Sequence, residues 1–110
     1  MTTVWVDADS CPRLVRDYLI NYTKKLKIAI KFVANHIIPQ TMEHPLYEMI
    51  LCAQGEGAAD DYIVRHSTQS DLVITRDIPL AARLVEKKTA VLNDRGVVYT
   101  NENIQKRLAD

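Results

Sequence analysis

A chain of 110 residues has the size of one ordinary domain and is too short for two. Its 47% hydrophobic and 25% charged residues, with only three Gly and four Pro, match a folded globular protein and exclude collagen-like and Pro/Gly-rich disordered classes. Fourteen basic residues balance fourteen acidic ones, so no basic surplus marks the chain for nucleic acid.

TVWV (Thr3 to Val6) is β-rich and runs into Asp7-Ala8-Asp9-Ser10-Cys11-Pro12, a strand end followed by a helix start. Ser10 is expected to cap that helix, with Pro12 in its first turn. Leu14, Val15, Tyr18, Leu19 and Tyr22 then recur at helical spacing and are expected to form its buried stripe, up to Lys24 and Lys25. Lys27 to Ala34 alternates as a strand, and Asn35 to Pro45 reads as a loop. Tyr47 to Ala53 is a further β-compatible run, and Ala59, Tyr62, Ile63 and His66 share one helical face. Asp71 to Thr75 is a near-continuous apolar strand of the kind covered on both faces in a parallel sheet. Pro79 opens a helix with Leu80, Ala81, Leu84 and Val85 inward, Thr89 to Leu92 is a short strand, Asn93 to Gly96 a turn, and Ile104 with Leu108 mark a last helix. Alternating strands and helices predict an α/β domain with a mainly parallel sheet, TVWV and DLVIT lying inside it.

No apolar run approaches the roughly 18 residues of a membrane span, and MTTVWVDADS lacks the basic start and apolar stretch of a signal peptide. A cytoplasmic location and no membrane partner are therefore expected. Cys11 and Cys52 are the only cysteines and read as reduced thiols, while His36, His44 and His66 show no zinc-ligand spacing.

Ligands of open α/β sheets bind beyond the carboxyl ends of the strands, and the residues that follow each strand here are acidic. Asp7 and Asp9 follow the first, Asp60 and Asp61 open the helix after the third, Asp77 follows the fourth and Asp94 the last. If the chain stayed extended, Asp7 and Asp9 would face one side. Asp also caps helices and favours turns, which accounts for any one of these positions singly. Several carboxylates at one point would repel each other unless protonated or bound to positive charge, and a hard divalent ion, Mg²⁺ or Mn²⁺, suits them. The charge balances of residues 1–40, 41–80 and 81–110, +3, −5 and +2, suit a cation site between phosphate-contacting surfaces, and equally a mixed solvated surface.

Carboxylate-held Mg²⁺ usually works on phosphates, neutralising phosphoryl oxygens and activating water for in-line attack. No GxxxxGK[ST] loop occurs, and DADSCP replaces the glycine turn of a dinucleotide site. Ser10 or Cys11 at a helix start could serve as a nucleophile, but neither has a histidine with a clear role beside it and no GxSxG is present.

The runs VDADSCP at Val6 to Pro12, AAD at Ala58 to Asp60 followed by Ile63-Val64, DLVITRDIPLA at Asp71 to Ala81, and LNDRG with Tyr99-Thr100 resemble the bacterial YaiI/YqxD family (UPF0178, DUF188) in order and over nearly the whole chain. That family is regarded as PIN-like. The resemblance implies a single three-layer PIN-like domain over residues 1–110, a mainly parallel sheet flanked by helices, and a Mg²⁺- or Mn²⁺-dependent ribonuclease with RNA as its partner. It places the catalytic metal site at Asp7, Asp9, Asp60 and Asp77, with Thr75 the polar residue ahead of the third acid and Asn35 a rim contact. Ser10, Asn35, Thr75, Arg76 and Arg95 are the candidate substrate contacts, and Arg13 and Lys24 are further candidates for phosphate. Two departures stand out: Gly57 occupies a position where many relatives carry an acid, leaving Glu56 or Asp61 to compensate, and the chain lacks the Gly-rich tail with which relatives continue.

Two other functions stay open on the residues. DxD after a first strand is also the signature of haloacid-dehalogenase-type phosphatases, although no lysine falls between Lys31 and Lys87 to serve ahead of their late acidic pair. A non-catalytic nucleic-acid or protein interaction module would account for the neutral charge and for Gly57.

Overall fold

In the computed structural model, which describes residues 2–38, 44–53, 55 and 57–109, β1 (Thr3–Asp7) forms from the Val/Trp run and stops where the acidic residues begin. A 3-10 turn (Ala8–Ser10) follows, then α1 (Arg13–Leu26), β2 (Ala29–Ala34), β3 (Tyr47–Leu51), α2 (Ala58–His66), β4 (Leu72–Ile74), α3 (Ile78–Glu86), β5 (Ala90–Leu92) and α4 (Asn101–Ala109). The five strands are all parallel in the order β3-β2-β1-β4-β5. Both β1 and β4 have a strand on either side, as the sequence predicts, because their apolar residues must be covered on both faces. The loop expected over Asn35 to Pro45 agrees with the described parts, while residues 39–43 lie outside them.

Period-two alternation sorts the strand residues into two cores. Val4, Val6, Ile30, Phe32, Ala34 and Ile74 face α1, where Ile20 is buried against them. Trp5, Val33, Val73 and Val91 face α2, α3 and α4, meeting Ala59, Ile63, Leu80, Leu84 and Ile104. The sheet is thus the middle of three layers, with one helix on one face and three on the other.

Three local expectations are corrected. Ser10 does not cap α1: Pro12 is the N-cap, the 3-10 turn intervenes, and the Ser10 hydroxyl donates to Asp7 Oδ2 at 3.0 Å instead. The buried stripe of α1 is also rotated from its expected position. Ile20 and Thr23 are buried and Val15 and Leu19 pack partly against the sheet, whereas Leu14 (82% exposed), Tyr18 (64%), Tyr22 and Leu26 form an i, i+4 row on the outside. His66, expected on the same helical face as Ala59 and Ile63, is not buried with them: it is exposed, its ring stacked on Tyr62 with centroids 3.9 Å apart.

One long-range polar anchor ties the sheet to its loops. Asp71, 7% exposed, accepts from Thr3 N (2.9 Å), Trp5 Nε1 (3.1 Å) and Thr68 N (2.9 Å). It therefore fixes the start of β1, the largest core side chain and the loop before β4 at once.

Candidate metal centre at the strand ends

Sheet order reverses between β1 and β4: the chain builds outward from β1 through β2 to β3, then returns to the other side of β1. A crevice opens beyond the carboxyl ends of strands at such a reversal. Here it is a cavity of about 520 Å³, lined among others by Asp7, Asp9, Ser10, Asn35, Asp60 and Asp77. All four carboxylates expected to form a metal site therefore border one space, together with two of the five expected substrate contacts.

Each acid arrives by a different local device. Asp7 ends β1 on the face shared by Trp5 and is 4% exposed; its Oδ2 accepts from Thr75 Oγ1 at 2.7 Å and from Ser10 Oγ. Asp9 is carried by the 3-10 turn, so the chain is not extended from Asp7 to Asp9. The Asp9 carboxylate reaches the end of β2, accepting from Asn35 N (2.9 Å) and lying 3.0 Å from His36 Nδ1. Asp77 is the N-cap of α3, its Oδ1 accepting from Leu80 N at 2.9 Å, so it caps a helix and borders the cavity together. Asp60 lies in the first turn of α2, which begins at Gly57 with φ 82°, a left-handed conformation that glycine adopts freely.

The electrostatics follow from this crowding. Burial raises the Asp7 carboxyl above its ordinary value; hydrogen bonds from Thr75 and Ser10 pull it back, and the charges of Asp77 and Asp9 push it up again. Burial, then Asp77 and Asp7, push Asp60 up to about 6, with Arg83 acting in the opposite sense. Asp61 takes no part: adjacent helical residues point about 100° apart, and its Oδ1 accepts from exposed Arg83 at 2.9 Å. It does not compensate for Gly57, and Glu56 lies outside the described residues.

The remaining expected contacts sort differently. Thr75 is buried and acts through Asp7, its oxygen also accepting from Asp77 N. Arg76 donates its backbone N–H to Ser10 Oγ at 3.5 Å, while its guanidinium makes a bidentate pair with Asp94 at 2.8 and 2.7 Å. Arg95 is exposed on the Asn93–Gly96 turn and, like Arg76, does not line the acidic cavity. Arg13 approaches Asp17, and Lys24 borders Ile28 and Ile30 at the opposite end of the sheet. Asp94 also stays away from the other acids. Strand parity could have shown this, since Asp94 is two residues beyond Leu92, which faces α1. His36, which holds Asp9, carried no signal in the sequence.

Burial pushes the Cys11 thiol up to about 11, which removes a cysteine nucleophile from beside Ser10. Cys11 and Cys52 are both free thiols, as expected.

The donors facing the cavity are all oxygen, the chemistry of Mg²⁺ or Mn²⁺. Asn35 adds a side-chain Oδ1 that is buried without a hydrogen-bond partner among the described residues. No three His, Cys, Asp or Glu side chains among the described residues converge as a closed ligand group. An all-protein metal cage is therefore absent among the described residues, which leaves one or two carboxylates as the most that could hold a hydrated ion.

A family model described as "Uncharacterized BCR, YaiI/YqxD family" matches residues 5–110. The chain belongs to the YaiI/YqxD family. Among its relatives, a UPF0178 protein of Psychromonas ingrahamii is 46% identical over 107 residues, covering 97% of this chain and 70% of the relative. A UPF0178 protein of Aliivibrio salmonicida is 48% identical over 105 residues, 96% of this chain and 69% of the relative. One from Geobacter sulfurreducens is 42% identical over 106 residues, 96% and 70% respectively. No solved structure matches. Among the described residues of this YaiI/YqxD chain, no helix is long and apolar enough to cross a membrane.

Proposed function

We propose that this YaiI/YqxD protein is a PIN-like, divalent-metal-dependent phosphodiesterase acting on RNA. The observation that carries the reading is the gathering of Asp7, Asp9, Asp60 and Asp77 around one cavity at the sheet reversal. Four carboxylates crowded there, two of them held above their ordinary pKa, form a site whose charge is balanced by a cation. Mg²⁺ or Mn²⁺, when bound, would neutralise phosphoryl oxygens and acidify water.

The chain's own residues then divide the work. Asp7, fixed by Thr75 and Ser10, and Asp60, across the cavity on α2, are the principal holders of the ion. Asp77 serves from the α3 cap, and Asp9 and Asn35 close the rim beside β2. Ser10, whose one hydroxyl hydrogen goes to Asp7 Oδ2 and whose oxygen accepts from Arg76 N, positions that carboxylate at the crest between the acids and Arg76. A phosphatase working through an aspartyl nucleophile is less well supported, because among the described residues no lysine borders the cavity to balance a phosphorylated aspartate.

The open ligand geometry favours one competing reading, an interaction module of the same fold with no catalysis. Calorimetric titration with Mn²⁺, followed by incubation with a labelled single-stranded RNA, separates the two. Saturable binding and metal-dependent cleavage, both lost in Asp7→Asn, are the expected results. No binding at millimolar Mn²⁺ would leave the module.

A further inference from the structure

A second cavity, of about 350 Å³, lies on the α1 face of the sheet at the ends of β4 and β5. It exists because a single helix covers this face and stops short of the β5 edge. Val15, Leu19, Ile74 and Leu92 give it aliphatic walls, and Tyr18 stands in its lining with its ring stacked on Tyr22, centroids 5.7 Å apart and planes 20° apart. Asp94 and Arg95, from the turn after β5, close the side nearest the strand ends.

This cavity and the acidic one occupy opposite faces of the same sheet edge, on neighbouring strands, and one hydrogen-bonded chain joins them. Ser10 Oγ donates to Asp7 Oδ2, Arg76 N donates to Ser10 Oγ, and the Arg76 guanidinium grips Asp94. The Asp94 carboxylate is taken up by that pair, which holds it below the ordinary carboxylate range. Arg76 and Asp94 offset each other, and Arg95 makes no ion pair among the described residues, so Arg95 leaves the lip of this cavity with a net positive charge, opposite in sign to the acid cavity. Apolar walls, an aromatic face already part of a stack, and a cationic lip match a flat aromatic ring carrying a phosphate.

We infer that the α1-side cavity is a nucleobase subsite: Tyr18 stacks on a base while Arg95 meets its phosphate. Resting on the nuclease reading above, it holds the nucleotide next to the one whose phosphodiester lies among the acids, with the strand crossing the sheet edge over Ser10 and Arg76. Base binding itself needs no metal, which makes the subsite testable apart from catalysis.

The experiment is calorimetric titration, in chelator, with a short single-stranded oligoribonucleotide and with its abasic counterpart of the same backbone. The base-bearing strand is expected to bind about tenfold or more tightly than the abasic one. Tyr18→Ala should erase that difference and Tyr18→Phe should keep it, while Arg95→Gln should weaken both strands and flatten the salt dependence. Tyr18 is largely exposed, so these variants are expected to fold. Equal affinity for both strands, or no effect of Tyr18→Ala, would overturn the subsite. So would Tyr18→Ala changing the sedimentation of the free protein from dimer to monomer, which would make the Tyr18 face a contact between copies. Tyr18-dependent binding without metal-dependent cleavage sinks the nuclease reading and keeps the subsite; cleavage with Tyr18-independent binding does the reverse.

Discussion

Asp60 and Asp61 are neighbours in sequence with opposite surroundings, and their variants should separate accordingly. Asp60→Ala is expected to abolish Mn²⁺ binding, whereas Asp61→Ala should change the affinity by less than about tenfold, on the order of 1.4 kcal/mol, in parallel calorimetric titrations. In chelator, the raised Asp60 carboxyl makes the folded state lose stability as pH rises from the ordinary carboxylate value through about 6. Asp60→Asn should therefore melt above the parent at pH 8, by about 1 kcal/mol after discounting for solvent screening, and lose that advantage below about pH 4. An Asp60→Asn variant that melts lower at pH 8 would make the carboxylate a structural cap. Asp71 behaves oppositely. Burial alone would raise it, but its donors from Thr3, Thr68 and Trp5 outweigh burial and hold it below the ordinary value. Its contribution is thus present above the unfolded pKa and lost as pH falls through the folded one. Asp71→Asn turns an amide N–H₂ toward donors and should cost about 1–3 kcal/mol at pH 7 in urea unfolding, with the gap to the parent narrowing in acid.

At the scale of elements, the helices show what a hydrophobic pattern can and cannot fix. Leu14, Val15, Tyr18, Leu19 and Tyr22 give a clear helical period, yet the period leaves the rotation of the helix open. Two overlapping rows fit α1, and the inner one, Val15, Leu19, Ile20 and Thr23, contains a threonine whose hydroxyl is satisfied within the helix by Leu19 O at 2.7 Å. That local bond lets a polar residue sit inside, and pattern alone cannot reveal it. Ser10 misled for a different reason: a cap oxygen must accept from N–H groups of the first helical turn, and Ser10 sits in the 3-10 turn two residues ahead of the Pro12 cap, where its oxygen accepts from Arg76 N. The end of α1 carries a further signature: Lys27 is left-handed at φ 57°, ψ 42°, with Lys27 N bonded to Lys24 O and Ile28 N to Thr23 O. Glycine favours that position, so Lys27→Gly should raise stability by about 0.5–1 kcal/mol in thermal or urea unfolding. An unchanged or lower midpoint would show that the lysine stem packs favourably enough to offset the strain.

For the molecule as a whole, the parallel sheet and its acidic edge were legible because both depend on repeated local patterns: apolar runs ending in carboxylates, with helices between. Parity along β5 already sets Asp94 on the α1 face, but which residue it meets there depends on register across strands distant in sequence, and that register brings it to Arg76. That strand order also has a consequence for how the protein is made. β1 lies in the interior of the sheet, yet β4, which covers one of its edges, begins only at Leu72. A ribosome-bound chain therefore carries Val4, Trp5 and Val6 with open backbone donors and acceptors through much of its synthesis, and Trp5 waits equally long for Asp71. Unpaired edges of this kind recruit other strands. A fragment of residues 1–70 is expected to form large species by light scattering at concentrations where the 110-residue chain does not, and a folded, monodisperse fragment would contradict this. The residues that cover the open edge of β1 are thus also its safeguard against such pairing.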